Sequence, residues 1–259
     1  MLIAQVTDTH IVAPGRLANG RVDTAAMLRA CVDSVRALSV RPDLLVLTGD
    51  LVDAGGADEY AHLKSLLAPL SLPTVVIAGN HDSRDGLRAA FPGLPASGFV
   101  HYVRDVGPLR FVALDTLVPG EPRGELCVSR LDWLEATLAA EPARPTVVLM
   151  HHPPFVTGIR FMDEMGLTGR EAFTAIVARH PQVQLILCGH LHRSIHTLVG
   201  GRRALTCPSP AHQIPLDLRE TPFEGFNFEP PGFMLHQWTR DGFVTHQQPV
   251  GAFAGPFPF

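Results

Sequence analysis

The stretch "LILCGHLH", residues 185–192, decides the fold because it joins an apolar run directly to two histidines. A short, uninterrupted run of Leu, Ile and Cys is typical of a strand buried on both faces of a sheet. His190 and His192 lie one residue apart, and in an extended chain such side chains project to the same side. Taken alone, the two histidines are better explained as hydrogen-bonded residues at the edge of a polar loop.

Four other segments repeat this order of a short apolar run followed by residues that can bind a metal. They are "LIAQVT" before Asp8 and His10, "LLVLTG" before Asp50, "TVVIAG" before Asn80 and His81, and "TVVLM" before His151 and His152. Helical spacing of apolar residues lies between them, at residues 22–38, 57–70, 128–140 and 168–180. Alternating strands and helices predict an α/β layer fold with much parallel sheet.

The helix starts carry recognisable capping residues. Asp23 or Thr24 is placed to cap the first helix, and Thr168 and Glu171 have the spacing of a capping box. Residues 80–82 could form a turn with an N-cap for a helix over residues 83–91, which is the simpler interpretation of that segment alone.

Several later segments have the pattern of antiparallel hairpins. Residues 99–106 and 109–115 flank Gly107-Pro108, residues 194–207 turn at Gly200-Gly201, and residues 232–248 turn at Asp241-Gly242. We interpret them as a second sheet packed on the first, with helices outside both. The Pro-rich stretch between Pro208 and Pro231 has little periodicity, which favours a lid, an assembly arm or an ordinary surface crossover.

Composition bounds the possible classes of protein. The chain has 259 residues, 46% of them hydrophobic and 18% charged, with a net charge of −4. It has no basic run that would bind a nucleic-acid groove. The four cysteines form no CxxC pair, which disfavours structural zinc and disulfides and favours reduced thiols in a cytosol. No apolar stretch approaches the roughly 20 residues of a membrane span, and we expect a cytoplasmic protein without a secretion signal.

Because ligands bind beyond the carboxyl ends of parallel strands, we expect the polar residues to gather on one rim. The candidate donors are Asp8, His10, Asp50, Asn80, His151, His190 and His192. Each fragment alone has an ordinary explanation: a chance DxH match, a turn, or buried histidines at the start of a loop. Five fragments at five predicted strand ends nevertheless predict one site. Gly49, Gly79 and Gly189 precede donors, either for a close backbone approach or as simple strand ends.

Oxygen and imidazole donors together suit Zn, Fe, Mn, Co or Ni. Seven donors exceed the four to six that one ion takes, so they favour two ions that share a carboxylate. Two ions about 3.5–4 Å apart stabilise an in-line displacement at phosphorus and lower the pKa of bound water, which supplies hydroxide as the nucleophile. Two dications outweigh the two aspartates, and the net positive charge attracts a phosphate.

The motifs "DTH", "GD", "GNHD", "HHPP" and "GHLH", in this order, resemble those of the calcineurin-like metallophosphoesterases. The wider chain, from "MLIAQVTDTH" past "PSPAHQIP" to "AGPF", is similar to the bacterial class III cyclic nucleotide phosphodiesterases and their glycerophosphodiesterase relative. The resemblance implies an α/β fold, a two-sheet β-sandwich flanked by helices. It also implies a single domain over residues 1–259, within which residues 208–231 are a candidate lid or oligomerisation segment.

The same resemblance implies roles for individual residues. One metal would be held by Asp8, His10, Asp50 and His192, and the other by Asp50, Asn80, His151 and His190. The bridging Asp50 and His81 would be catalytic, with His81 contacting the phosphate beside Asn80 and protonating the leaving oxygen. His212 would lie near the substrate, and His152 would orient a ligand. Asn19 stands where the glycerophosphodiesterase relative has a tyrosine, which leaves a glycerol-type substrate open.

These observations predict a dinuclear-metal phosphodiester hydrolase that uses Fe, Mn, Zn or Co. The expected substrates are 3′,5′-cyclic nucleotides such as cyclic AMP, or small diesters. A phosphomonoesterase or a nucleotide pyrophosphatase with the same metal centre is the alternative. A non-catalytic scaffold could dispense with its donors, and this chain keeps all seven. Phenylalanines in residues 208–231 and in the tail "GAFAGPFPF" predict a homo-oligomer interface.

Overall fold

The structure, a computed structural model, describes residues 1–258 of the chain. Its strands are β1 (Leu2–Val6), β2 (Leu44–Leu47), β3 (Thr74–Val76), β4 (Tyr102–Val106), β5 (Leu109–Ala113), β6 (Gly124–Glu125), β7 (Thr146–Leu149), β8 (Leu167–Thr168), β9 (Val183–Cys188), β10 (Ile195–Val199), β11 (Arg202–Thr206), β12 (Gly232–Thr239) and β13 (Gly242–Pro249). Its helices are α1 (Thr24–Arg36), α2 (Ala57–Leu67), α3 (Arg84–Ala90), α4 (Val128–Ala140), α5 (Arg160–Asp163) and α6 (Arg170–Arg179), with a 3₁₀ turn at Ala68–Leu70.

Two sheets form the centre of the molecule, in the orders β13-β12-β1-β2-β3 and β10-β11-β9-β7-β5-β4. Apolar residues fill the layer between them, among them Ile3, Phe111 and Leu187. Helices α1 to α3 pack on the outer face of the first sheet, and α4 and α6 on that of the second. The expected two-sheet β-sandwich flanked by helices is confirmed.

The five apolar runs are strands, but the sheets are divided differently from the prediction. Strands β1, β2 and β3 are parallel neighbours in the first sheet, while β7 and β9 are parallel neighbours in the second. The hairpins do not form a sheet of their own: β12–β13 joins the first sheet, and β4–β5 and β10–β11 join the second. Local periodicity identifies a strand, whereas its neighbours depend on packing between distant segments.

The N-terminal residues of α1 and α6 can be compared with the predicted caps. The Asp23 side chain accepts the backbone N–H of Ala26 at 2.9 Å and so caps α1. The predicted capping box of Thr168 and Glu171 is wrong, because α6 begins after Gly169, whose φ is 90°. A Cβ atom at Gly169 would lie 2.4 Å from the carbonyl oxygen of Leu126. Thr168 belongs instead to β8, which pairs with β6.

Residues 208–231 contain no helix or strand within the described chain. Residues 208–213 are buried, and exposure increases after Ile214. A backbone pair between Gln213 and Asn227 closes the segment on itself, and an ion pair joins Arg193 to Glu229. Exposed phenylalanines are Phe223, Phe228, Phe253 and Phe257; Phe259, the last residue of the tail, lies outside the described residues. A lid or assembly role for the segment stays a prediction.

Among residues 1–258, no helix is long and apolar enough to cross a membrane. The cysteines are unpaired in this part of the chain, and Cys31, Cys188 and Cys207 are buried.

Candidate metal centre

The seven predicted donors meet where β1, β2, β3, β7 and β9 end. The His151 Nε2 atom lies 3.3 Å from Asp50 Oδ2 and 3.2 Å from Asn80 Oδ1. On the other side, the His192 Nε2 atom lies 3.5 Å from Asp8 Oδ1 and 3.2 Å from His10 Nε2. The His10 Nε2 atom is 3.7 Å from Asp50 Oδ2. Asp50 therefore faces both His151 on one side and His10 on the other.

His190 completes this cluster, with its ring centroid 5.2 Å from that of His151. The donor residues are buried, with the exception of Asn80, which is partly exposed. The predicted rim is therefore a single cluster of carboxylate, amide and imidazole atoms at the junction of the two sheets.

The backbone turns sharply at most of these residues. Five of them have a positive φ, which is uncommon for any residue other than glycine: Asp8 51°, His10 43°, Asp50 48°, His190 70° and His192 48°. This conformation bends each strand end and aims its side chain into the cluster. Such backbone strain is typical of functional sites, because stability alone does not select it.

The glycines before the donors are required by close packing. A Cβ atom at Gly79 would lie 2.2 Å from Asp50 Oδ1, and one at Gly189 would lie 2.3 Å from Thr7 Oγ1. Gly49 has a φ of 92°, and its Cβ would lie 2.5 Å from the Nδ1 atom of His151. The strand ends approach one another so closely that no side chain fits at these positions, which supports the close-approach interpretation.

Hydrogen bonds fix which ring nitrogen each histidine presents to the centre. The Nδ1–H of His151 donates to the carbonyl oxygen of Thr48 at 2.8 Å, and that of His192 to the carbonyl oxygen of His212 at 2.8 Å. His10 Nδ1 lies 3.2 Å from the Asp53 carboxylate. Each Nε2 atom therefore faces the cluster, as in metal-binding histidines whose second nitrogen has a protein partner.

Two features of the donors fit a bound cation. The His10 and His192 Nε2 atoms face each other at 3.2 Å. When both rings are neutral, two lone pairs meet there, and a cation between them would satisfy both. The His190 Nε2 atom is buried and has no hydrogen-bond partner in the described residues. Buried polar atoms are ordinarily paired, so this atom points to a ligand outside the polypeptide.

Burial and charge control the protonation of the cluster. Burial lowers the pKa of His190 to about 3 and also lowers that of His192, which keeps both rings in the neutral form that binds metals. Burial raises the pKa of Asp8 to about 6, with Asp50 adding to the effect. For Asp50 burial acts in the same direction, but His151 and His10, when protonated, outweigh it and hold the pKa of Asp50 well below its usual range. Burial alone would lower the pKa of His151, but the Asp50 carboxylate raises it to about 9, so this ring would release its Nε2 proton when a metal ion binds.

His152 lies beside the donors but has no free nitrogen. Its Nδ1 atom is 2.8 Å from Thr116 Oγ1, and its Nε2–H donates to the carbonyl oxygen of Pro122 at 3.1 Å. Its ring packs against those of His151 and His190, with centroids 4.9 Å and 4.5 Å apart. The ring thus packs against two donors, and the orienting role expected for it stays a prediction.

His81 lies at the rim of the cluster with its side chain 40% exposed. Its Nδ1–H donates to the carbonyl oxygen of Asp53 at 2.7 Å, and its backbone N–H donates to Asp50 Oδ1 at 2.8 Å. The His10 ring is 4.6 Å away. His81 is thus fixed beside the donors and remains open to solvent.

His212 and Asn19 have different placements. The buried His212 ring lies 5.2 Å from that of His10 and 4.7 Å from that of His192, and Phe226 packs on it at 4.9 Å. Asn19 lies in an exposed turn, with a φ of 50°, and its side chain makes no hydrogen bond to the cluster within residues 1–258. The structure therefore brings His212, but not Asn19, to the donors.

Sequence reasoning did not assign a role to two residues that hold the centre. Asp53 orients His10, and its only sequence signal is a carboxylate three residues after Asp50. The Asp82 carboxylate accepts the backbone N–H groups of Leu51 at 3.2 Å and Gly79 at 2.8 Å, and so ties two donor loops together. Helix α3 is capped by Ser83, whose side chain accepts the backbone N–H of Gly86, as expected for a turn followed by an N-cap.

The donor atoms form overlapping groups that can hold metal ions. The ligand atoms of Asp8, His10 and Asp50 all lie within 4.8 Å of one another, and those of His151, His152 and His190 do likewise. The nitrogens of His152 are occupied, so His151 and His190 are the nitrogen donors left in the second group. The oxygen atoms of Asp50 and Asn80, beside His151, would complete this group. The arrangement suits two metal ions on either side of Asp50.

Comparisons with known proteins agree with this geometry. Residues 1–194 match the family model described as calcineurin-like phosphoesterase. The probable glycerophosphodiester phosphodiesterase GpdQ of Arcobacter nitrofigilis is 38% identical, over 100% of this chain and 97% of that protein. The 3',5'-cyclic adenosine monophosphate phosphodiesterase CpdA of Pseudomonas aeruginosa is 34% identical, over 83% of this chain and 78% of that protein.

A solved structure supports the fold. A dimetal phosphatase from Danio rerio superimposes with a TM-score of 0.68 at 17% identity, covering 97% of this chain and 99% of that chain. The family match covers most of the chain and includes all seven donors, and the relatives extend the similarity to nearly its full length. The chain therefore belongs to the calcineurin-like phosphoesterase family.

Proposed function

We propose that the chain is a metal-dependent phosphodiester hydrolase, acting on 3′,5′-cyclic nucleotides such as cyclic AMP or on small glycerophosphodiester-like molecules. The observation that carries this proposal is the convergence of seven donors, Asp50 among them, with histidine Nε2 atoms facing the centre. The names of the relatives, a glycerophosphodiester phosphodiesterase and a cyclic AMP phosphodiesterase, support the choice of diesters.

In this proposal two metal ions, drawn from Fe, Mn, Zn or Co, share Asp50. The first would be held by Asp8, His10, Asp50 and His192, and the second by Asp50, Asn80, His151 and His190. When bound, such ions polarise the phosphoryl group and lower the pKa of water. Contacts of 3.2–3.7 Å among the donor atoms support this division.

The chain's own residues would bind and protonate the substrate. His81 is held by Asp53 through Nδ1, so its Nε2 atom is the one available to contact a phosphate and to give a proton to the departing oxygen. The side-chain amide of Asn80 would contact the same phosphate. His212 would line the substrate side of the centre, where its buried Nδ1 atom has no partner in the described residues. Asn19 would contribute from the turn outside the cluster.

A panel of substrates tests this proposal. Cyclic AMP, glycerophosphoethanolamine, bis(p-nitrophenyl) phosphate, p-nitrophenyl phosphate and a dinucleotide pyrophosphate are compared by kcat/KM with Mn²⁺ or Zn²⁺ present. We expect the diesters to be preferred over the monoester. Preference for p-nitrophenyl phosphate would replace the proposal with a phosphomonoesterase, and cleavage of a dinucleotide pyrophosphate alone would replace it with a nucleotide pyrophosphatase.

The same proposal covers the organisation of the protein. We treat residues 1–259 as one domain, supported by β12 from the end of the chain, which pairs with β1 in the first sheet. We propose action in the cytoplasm, supported by the unpaired cysteines. A homo-oligomer built on residues 208–231 is supported by the exposed Phe223 and Phe228. Light scattering tests it, and a monomer would remove it.

A further inference from the structure

A chain of buried polar side chains crosses the apolar layer between the two sheets, directly beneath the metal centre. It comprises Gln5 on β1, Thr48 after β2 and His236 on β12, all fully buried. Their surroundings are apolar residues such as Ile3 and Leu187. Because such groups are costly to bury, a polar chain at this depth calls for an explanation.

The hydrogen bonds of this chain can be assigned without ambiguity. The Gln5 Nε2 atom donates to the Cys188 carbonyl oxygen and to Thr48 Oγ1, both at 3.0 Å. Gln5 Oε1 must then accept from the His236 Nε2–H, at 3.0 Å. This leaves the His236 Nδ1 atom to accept the hydroxyl of Thr245 at 2.9 Å. Every polar atom of Gln5 and His236 is satisfied.

Gln5 and its two hydrogen-bond partners, Thr48 and Cys188, each stand just before a metal donor. Gln5 is three residues before Asp8, while Thr48 and Cys188 are two residues before Asp50 and His190. The bond from Gln5 to Cys188 joins the first sheet to the second, since β1 and β9 belong to different sheets. Thr48 extends the link, because its carbonyl oxygen accepts the Nδ1–H of His151 on the second sheet.

We propose that Gln5 and His236 are positioning residues that set the separation of the two sheets beneath the metal centre, and through it the affinity for the metal ions. This inference rests on the proposed metal-dependent function. Apolar side chains would fill the layer but would make no directional bond between β1 and β9. A directional hydrogen bond from β1 to β9 fixes the donors of one sheet against those of the other.

The experiment measures metal affinity separately from stability. Purified, metal-free variants are titrated with Zn²⁺ in competition with a chromophoric chelator, and thermal melts are recorded in parallel. Gln5→Met keeps the size of the side chain and removes its hydrogen bonds. His236→Leu removes the donor to Gln5, whereas His236→Gln keeps an amide donor. Leu44→Ala is the control, because Leu44 lies in the same apolar layer without a part in the polar chain.

We expect Gln5→Met and His236→Leu to raise the dissociation constants for Zn²⁺ by about 10- to 100-fold, the range typical of residues that support metal ligands. His236→Gln should restore most of the affinity. Leu44→Ala should lower the melting temperature and leave the dissociation constants within about twofold. Should Gln5→Met fail to fold, Thr245→Val, at the outer end of the chain, should give a smaller loss of affinity.

Two results would overturn the inference. One is that Gln5→Met or His236→Leu binds Zn²⁺ with unchanged affinity, whatever its melting temperature. The other is an equal loss in Leu44→Ala, which would mean that general loosening of the layer is responsible. The wild-type titration separates this failure from that of the proposed function: if the unaltered chain binds no metal, the metal centre itself is refuted.

Discussion

The backbone nitrogen of His190 lies 3.0 Å from both carboxylate oxygens of Asp8, 182 residues away along the chain. Asp8 follows β1 in the first sheet, and His190 follows β9 in the second. The carboxylate therefore fixes the loop that presents His190 and His192, besides being a candidate ligand itself. The metal centre is a junction between sheets, and each donor depends on contacts from the opposite sheet.

Replacing the shared carboxylate tests the centre most directly. Asp50→Asn should lower kcat for bis(p-nitrophenyl) phosphate by at least about 10³-fold, because one neutral amide cannot bridge two cations. The metal content should fall with it, while circular dichroism stays unchanged. Asp33→Asn, on the exposed face of α1, is the control and should retain full activity. Appreciable turnover by Asp50→Asn would contradict the shared-ligand arrangement.

Replacement of His151 and replacement of the adjacent His152 should have different effects on the number of bound metal ions. His151→Ala removes an Nε2 atom that faces Asp50 and Asn80, so the protein should bind about one metal ion instead of two. His152→Ala removes a ring whose nitrogens are occupied by Thr116 and Pro122, so the stoichiometry should stay at two. Inductively coupled plasma mass spectrometry of dialysed protein measures both. Equal losses would mean that His152 is a ligand.

His81 is tested by changing the leaving group. His81→Asn should slow the cleavage of an alkyl diester such as cyclic AMP by about 10²-fold or more, because an alkoxide needs a proton as it departs. Release of p-nitrophenolate, a stable anion, should be slowed much less. The ratio of the two kcat/KM values is the measurement. A uniform loss for both substrates would assign His81 to binding alone.

Metal removal should destabilise the fold. The donor cluster places carboxylates and histidines at the junction of the two sheets, and a cation that binds only the folded state adds stability. With metal at about 1,000 times its dissociation constant, the gain is about 4 kcal/mol per site. A chelator should therefore lower the melting temperature by several degrees, and added Zn²⁺ or Mn²⁺ should restore it. A melt that is insensitive to the chelator would contradict the metal centre.

Buried His236 should make the metal-free protein sensitive to acid. Burial lowers its pKa to about 3 in the folded chain, against about 6.5 for an exposed histidine. Below pH 6.5 His236 therefore binds a proton in the unfolded chain but not in the folded chain. His236 by itself should therefore lower the free energy of unfolding by up to about 1.4 kcal/mol per pH unit as the pH drops from about 6.5 toward 3.

Urea unfolding of metal-free wild type and His236→Gln at pH 7, 6 and 5 measures this contribution. In the variant, the free energy of unfolding should depend less on pH, by the contribution of one histidine. The rest of the dependence should remain, because buried His190 and His212 also have lowered pKa values. Identical slopes for the two proteins would show that His236 does not titrate as its burial requires.

The sequence predicted much of this site because its signals are local. The run "LILC" before His190 identifies a buried strand, and the order of the five donor fragments identifies the family. The capping box at Thr168 was wrong for the opposite reason. Its spacing is correct, but pairing of β8 with β6 takes Thr168 out of the helix start. Asp53 was not assigned a role because a lone carboxylate on a loop has no periodic pattern.

By itself the sequence determined which residues form strands, where those strands end, and which side chains there can bind metal. Only the tertiary structure decided that β1 and β9 belong to different sheets, that Asp50 faces both groups of histidines, and that the nitrogens of His152 are occupied. The physical reason is that strand periodicity is a property of neighbouring residues. The orientation of a ring nitrogen depends instead on a hydrogen-bond partner such as Thr48, 103 residues from His151.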